Sequence, residues 1–227
     1  MTALVAPGIR RVTVGPVNAY LVDGEDGVTL VDTGLVGMAG TILRAIAGAG
    51  RDPTDVRAIL LTHAHLDHAG SAASLSGSTG ARVWVHEADA AATRSGRSPM
   101  PGPESRWLAA AVTRMPSPGF APVAGALTFA DAAVLAGGLR AIHTPGHTPG
   151  QTAFHLATRG GVLFTGDALT NLVGIRLGLV NDDWPAARRS VRRLAELEFA
   201  TVAFGHGPVI SGPGVARVRR AIERLAR

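Results

Sequence analysis

Short apolar runs separated by Gly-Pro and Asp-Gly pairs open the chain. Residues 11–14, 17–22 and 28–32 read as β-strands between tight turns, and the third ends in LVDTG, which leaves Asp32 at a strand terminus. The period then changes. Met38, Ile42, Leu43 and Ile46 share one face of a helix expected over 37–48. Residues 56–61 form a strand, 69–75 start a helix, 81–85 return to strand and 86–93 to helix. Strand patterning resumes at 126–129, 133–135, 139–143, 152–156 and 162–165, with HTPGHTPG and TGDAL as the punctuated turns. Asp183-Trp184-Pro185 starts a helix running to about 197, with Asp183 as N-cap and Pro185 in the first turn. A strand at 201–204 and a helix at 215–226 follow. Each half gives strands first and helices after or between, which predicts two packed sheets with helices outside, in one domain over residues 1–227.

Residues 94–125 break this rhythm, holding six of the 14 prolines around one short helix expected at 104–115. The segment is a candidate lid or pocket wall built on Met100, Trp107, Met115 and Phe120; the plainer reading is a satellite apolar cluster under a long loop.

Composition narrows the chemistry. Without cysteine there is no disulfide, no thiolate ligand and no cysteine nucleophile, so any metal must be held by nitrogen and oxygen. All 22 basic residues are arginine, which removes a catalytic lysine, and the net charge is +5. Many arginines fall in the two C-terminal helices. A solvated basic face accounts for them, and a nucleic-acid partner is not expected. The opening MTALVAPGIRRVTV lacks a basic stretch followed by a longer apolar core, and no apolar run reaches the ~18 residues of a span. A cytoplasmic protein, monomer or homodimer, without membrane contact is the expectation.

Against this background LLTHAHLDHAG, 60–70, stands out, because His63, His65, Asp67 and His68 occupy six consecutive positions in a chain of eight histidines. Imidazole nitrogen and carboxylate oxygen suit Zn²⁺ and related first-row ions. In an extended segment i and i+2 point the same way, so His63 and His65 can grip one ion, while Asp67 and His68 face another point where the chain turns into a helix. One loop cannot complete two coordination spheres. About three further ligands are required, and His147, Asp167 and His206 lie just past expected strands, each beside a glycine that permits close backbone approach.

VDTG at 31–34, THAHLDHAG at 62–70, HTPGHTPG at 143–150, TGDAL at 165–169 and FGHGP at 204–208 together resemble the metallo-β-lactamase-fold hydrolase superfamily. The resemblance implies an α+β, four-layer αββα sandwich with a dinuclear site. It implies that His63, His65 and His147 hold the first metal, that Asp67, His68 and His206 hold the second, that Asp167 bridges them, and that Asp32 orients ligands. His143 is expected to stabilise the turn that carries His147 and, with Asp32, to support the ligands from behind; His86 is expected to cap a helix or to support a ligand in the same way, and His155 to be a strand residue.

Two divalent ions, zinc or alternatively iron or manganese, lower the pKa of a shared water, so a bridging hydroxide would be the nucleophile, with Asp67 a candidate proton shuttle beside Asp167. Charge counting favours a small anionic substrate. Fold does not decide substrate. The missing export signal argues against a β-lactamase and the lack of added domains against a nuclease or phosphodiesterase. The single helix after His206 separates the chain from glyoxalase II-like hydroxyacylglutathione hydrolases, which carry a helical glutathione domain. Tyr20, the only tyrosine, reads as a strand residue rather than the active-site tyrosine of acyl-homoserine lactonases. A small thioester, ester or lactone remains. The competing class is a mononuclear iron persulfide dioxygenase, which needs only two His and one Asp.

Overall fold

In a computed structural model, residues 1–98 and 119–227 are described. Two mixed sheets form the centre. The first runs in chain order: β1 (Thr2–Ala6), β2 (Ile9–Val14), β3 (Val17–Gly24), β4 (Gly27–Val31), β5 (Val56–Leu60), β6 (Arg82–His86) and β7 (Leu127–Phe129). β1 to β4 pair antiparallel, and β4 to β7 pair parallel. The second sheet holds β8 (Arg140–His143), β9 (Thr152–Leu156), β10 (Val162–Phe164), β11 (Thr201–Ala203) and β12 (Ile210–Ser211), with only β10 and β11 parallel.

Strand alternation creates the layers. In β3, Ala19 and Leu21 face one side and Tyr20 and Val22 the other; in β5, Ile59 opposes Ala58 and Leu60. Three separate apolar cores result. Ala19, Leu21 and Ile59 pack against Ile42 and Ile46 of α1 (Ala39–Gly48) and Leu75 of α3 (Ala72–Thr79). Tyr20, Val22 and Leu60 meet Leu139, Phe154 and Phe164 between the sheets. Val202 and Leu163 pack against Val191 and Leu194 of α5 (Trp184–Ala195) and Val218 and Ile222 of α6 (Val215–Leu225). Three cores stacked in sequence make four layers, α, β, β and α.

This topology positions the site. Because β4, β5 and β6 are parallel, their C-terminal ends share one edge of the first sheet. Asp32 follows β4, the 61–68 loop with α2 (Leu66–Ala69) follows β5, and Asp89 follows β6, just before α4 (Ala90–Ser95). The parallel pair β10 and β11 likewise delivers Asp167 and His206 together. His206 is drawn toward the first sheet by its bridge to Val17 and by the Asn18 amide, which donates to the carbonyls of Phe204 and Gly207.

Several elements differ from the sequence pattern. β1 was not expected: it is a largely exposed edge strand whose register slips between Leu4 and Ala6, so it carries no alternating signal. β12, only two residues long, was also missed. The strand expected at 133–135 reduces to a single bridge, Val134 to Arg140. The helix expected from 69 is two helices, α2 and α3. The expected helix at 104–115, with Met100, Trp107 and Met115, lies outside the described residues.

Candidate metal centre

Local hydrogen bonds fix which nitrogen each imidazole presents. Thr62 Oγ1 donates to Asp32 Oδ2 at 2.8 Å and, having spent its only proton, accepts from His63 Nδ1 at 3.0 Å. His63 Nε2 is thereby left facing His65 Nδ1, 3.0 Å away. His68 Nδ1 donates to Asp32 Oδ2 at 2.8 Å, and His147 Nδ1 to the Val180 carbonyl at 2.5 Å, which turns both Nε2 atoms into the cluster. Such outward N–H bonds are how metal-binding imidazoles are oriented.

Seven side chains meet. His63, His65 and His147 form one group able to hold an ion; Asp67, His68 and His206 form another; Asp167 joins His63 and His68 in a third. Asp167 Oδ1 lies 3.4 Å from His68 Nε2, and its Oδ2 lies 3.5 Å from His147 Nε2 and 3.3 Å from His206 Nε2. His206 Nε2 is also 3.3 Å from His68 Nε2 and 3.2 Å from Asp67 Oδ2. A tetrahedron with metal–nitrogen bonds of ~2.1 Å has edges of roughly 3.4 Å, so these spacings are those of donors around shared ions. Three buried cluster atoms, His65 Nε2, His147 Nε2 and Asp167 Oδ1, have no hydrogen-bond partner. Buried polar groups are rarely left so. The backbone also leaves no surplus room: a Cβ on Gly205 would come within 2.6 Å of His68 Cε1 and 2.7 Å of Asp167 Oδ1. The residues therefore fit divalent ions.

The electrostatics divide the cluster. Burial and the neighbouring imidazoles hold His63 well below the ordinary histidine range and His65 down to about 3; burial lowers His147 as well. These three are neutral, the form that binds metal. Burial also acts to lower His68 and His206, but the carboxylates outweigh it: Asp32, Asp167 and Asp67 raise His68 well above its ordinary value, and Asp167 with Asp67 pushes His206 up to about 9. Asp67 and Asp167 are correspondingly lowered, because His68 and His206 outweigh the upward effect of burial. In this half of the cluster the carboxylates favour positive charge beside them.

Asp89, not singled out in the sequence, ties two ligand loops together. It is buried, and its Oδ2 accepts from the Ala64 N–H at 3.0 Å, between His63 and His65, and from Thr148 Oγ1 at 2.7 Å, beside His147. Its Oδ1 accepts from the Gly150 N–H at 2.8 Å. The sequence marks it only as an acid past a strand, no different from Glu87.

Other expected site residues lie elsewhere. His143 does not touch the seven: its ring stacks on His86, centroids 3.9 Å apart, and its Nε2 donates to the Pro149 carbonyl, since β8 ends there and the half-buried ring points away from the cluster. It braces the turn carrying His147 and is not in contact with the ligands. His86 Nδ1 accepts from the Ala88 N–H as the N-cap of a short turn. Phe120 is not a pocket wall; it is buried in the core between the first sheet and its helices.

The cluster opens into a cavity of about 480 Å³ whose lining includes Leu35, Leu66, Leu172 and Leu179.

The sequence profile of the metallo-beta-lactamase superfamily matches residues 12–206. The chain belongs to this superfamily, and with this fold and cluster it is a metal-dependent hydrolase. It is 33% identical to the uncharacterized protein YobT of Bacillus subtilis (strain 168), over 92% of this chain and 90% of that protein. It is 30% identical to the probable metallo-hydrolase YqgX of the same organism, over 88% and 90%. Among solved structures, a metallo-β-lactamase of Cronobacter sakazakii with a HARLDQ motif superposes with a TM-score of 0.71 at 30% identity, covering 91% of this chain and 78% of that one.

Proposed function

We propose that the chain is a dinuclear hydrolase of a small thioester, ester or lactone. The observation that carries this is the meeting of seven nitrogen and oxygen donors, from four separate stretches of chain, five of them on residues that line one cavity. His63, His65 and His147 would hold one ion, and Asp67, His68 and His206 the other, with the two oxygens of Asp167 turned toward both groups. When bound, two divalent ions, zinc in this reading, supply an activated water and polarise the substrate carbonyl, so no serine or cysteine is needed. The protein's own part is orientation. Asp32, through Thr62 and directly, holds His63 and His68; Val180 holds His147. Asp67 is more exposed to the cavity than Asp167, which supports giving it the role of carrying the proton of the attacking water to the leaving group. The complete second group of ligands is what favours hydrolysis over a single-iron oxygenase, which needs only three.

Elemental analysis of protein purified without added metal or chelator is the test. About two divalent ions per chain are expected, with hydrolysis of thioesters, esters or lactones that is lost on chelation and restored by metal. Asp167→Ala should reduce turnover by at least two orders of magnitude and lower metal content while leaving the circular dichroism spectrum unchanged. One iron per chain with substrate-dependent oxygen uptake would overturn the reading.

A further inference from the structure

The cavity above the cluster is divided by chemistry. Its lining combines His65, Asp67, His147, Asp167 and His206 of the cluster with the apolar Pro16, Leu35, Leu66, Leu172, Leu179 and Val180. Outside the cluster, Ser98 and Thr170 are the polar residues of the described lining, and no arginine is among the described lining residues. Apart from the cluster itself, the described lining therefore offers no cation to a second carboxylate or to a phosphate.

The apolar character continues outward. Eight large hydrophobic side chains are exposed among the described residues, and four belong to the loops at this mouth: Leu172 at 40%, Leu179 at 66%, and Val36 at 60% and Val173 at 77%, the chain neighbours of Leu35 and Leu172. Exposed apolar side chains grouped around a concave site mark a binding surface rather than chance exposure. The loop bearing most of them is fastened to the cluster at both ends. The Asn171 N–H donates to the His206 carbonyl at 3.0 Å, and the Val180 carbonyl accepts from His147 Nδ1. Thr170, just before the first tie, and Arg176, between the two, pair through two backbone bonds, of 2.9 and 3.1 Å. The wall is thus held at a set distance from the reacting centre.

Building on the hydrolytic reading above, we infer that the site takes substrates whose acyl part is an uncharged aliphatic chain laid along the 171–180 loop. The reacting carbon carries both groups, but hydrolysis breaks its bond to the leaving group and leaves the acyl chain on the carboxylate product that stays at the cluster, so the acyl chain is the part assigned to the wall. Leu66 sits between His65 and Asp67, and Val180 is hydrogen-bonded to His147, so the wall begins beside the cluster.

The test uses the metal-loaded protein and two series of straight-chain compounds. Carboxylates from acetate to decanoate are titrated by calorimetry, and acyl thioesters and esters of the same lengths are assayed for kcat/KM. Each methylene added along the wall should tighten Kd and raise kcat/KM about fourfold, the equivalent of ~0.8 kcal/mol per buried CH₂. A dicarboxylate should bind more weakly than a monocarboxylate of equal length. Leu179→Asp should flatten both series without changing metal content. A flat series for the parent protein, or a preference for the dicarboxylate, overturns the proposal. If Leu179→Asp instead converts an oligomer to a monomer in sedimentation and leaves the slope intact, the wall is a contact between copies and the proposal fails. A steep Kd series without turnover of any thioester, ester or lactone upholds the acyl wall and rejects the hydrolytic reading.

Discussion

At the scale of single residues, Asp32 shows the most concentrated demand. Its φ is +60°, a left-handed conformation that non-glycine residues rarely adopt, and Asp and Asn tolerate it best. From there its carboxylate accepts from the Thr62 N–H, Thr62 Oγ1 and His68 Nδ1. Asp32→Asn keeps a side chain that accepts the backbone conformation but removes the anion behind His68. Metal affinity should fall about 10- to 100-fold, with little loss of stability, in competition against a chelator. Asp32→Ala should in addition lose ~1 kcal/mol in denaturant unfolding, from the strain of a Cβ without local hydrogen bonding. An Asp32→Asn protein that binds metal as tightly as the parent would remove Asp32 from its orienting role. The seven residues that cluster were legible in sequence because their types and spacing are rare. Asp89 was not, since its three partners lie on loops 25 and about 60 positions away.

Elements show the same division. α5 and α6 carry many arginines, and their placement accounts for much of that charge without a nucleic acid. Arg192 of α5 donates to the Ala226 carbonyl at the end of α6, while Arg219 of α6 donates to the Ala195 and Leu197 carbonyls at the end of α5. Each helix thus caps the unpaired carbonyls of the other, where cations are favoured by the helix dipole. At the opposite edge of the protein's logic, Asp89 joins the loop after β5 to the loop after β8. Asp89→Asn would replace one acceptor oxygen with an NH₂ group facing donors, at a cost of about 1–3 kcal/mol for buried groups left unpaired. The expected outcome is weaker metal binding at His63, His65 and His147 with the Asp67, His68 and His206 group less affected, read as metal stoichiometry and affinity. Gly150→Ala should act alike, because its Cβ would stand 2.6 Å from Asp89 Cγ. Two ions bound with parental affinity in both variants would show that the tie is dispensable.

At the scale of the whole molecule, Tyr20 reports on the joint between the sheets. It is the only tyrosine, is buried in the inter-sheet core, and donates its hydroxyl proton to the Phe204 carbonyl at 2.6 Å across from β3 to the end of β11. Burial raises its pKa well above the ordinary value near 10. The folded protein therefore holds this proton while the unfolded chain releases it, so stability from this group is complete below pH ~10 and declines as pH rises above it. Tyrosinate absorbance should stay absent in the native protein above pH 10 and appear only with loss of the folded circular dichroism signal; titration at pH ~10 in the folded state would contradict this burial. No helix among the described residues is long and apolar enough to cross a membrane. Apolar periodicity determined most strands and helices, and the crowding of histidine and aspartate in 60–70, with the strand-end His147, Asp167 and His206, determined the donor set. Those are properties of neighbours in the chain. The three-core layering, the partnering of each imidazole, the Asp89 tie, the inward place of Phe120 and the apolar wall came only with the tertiary structure, because each depends on which distant segments pack together and no local period records that.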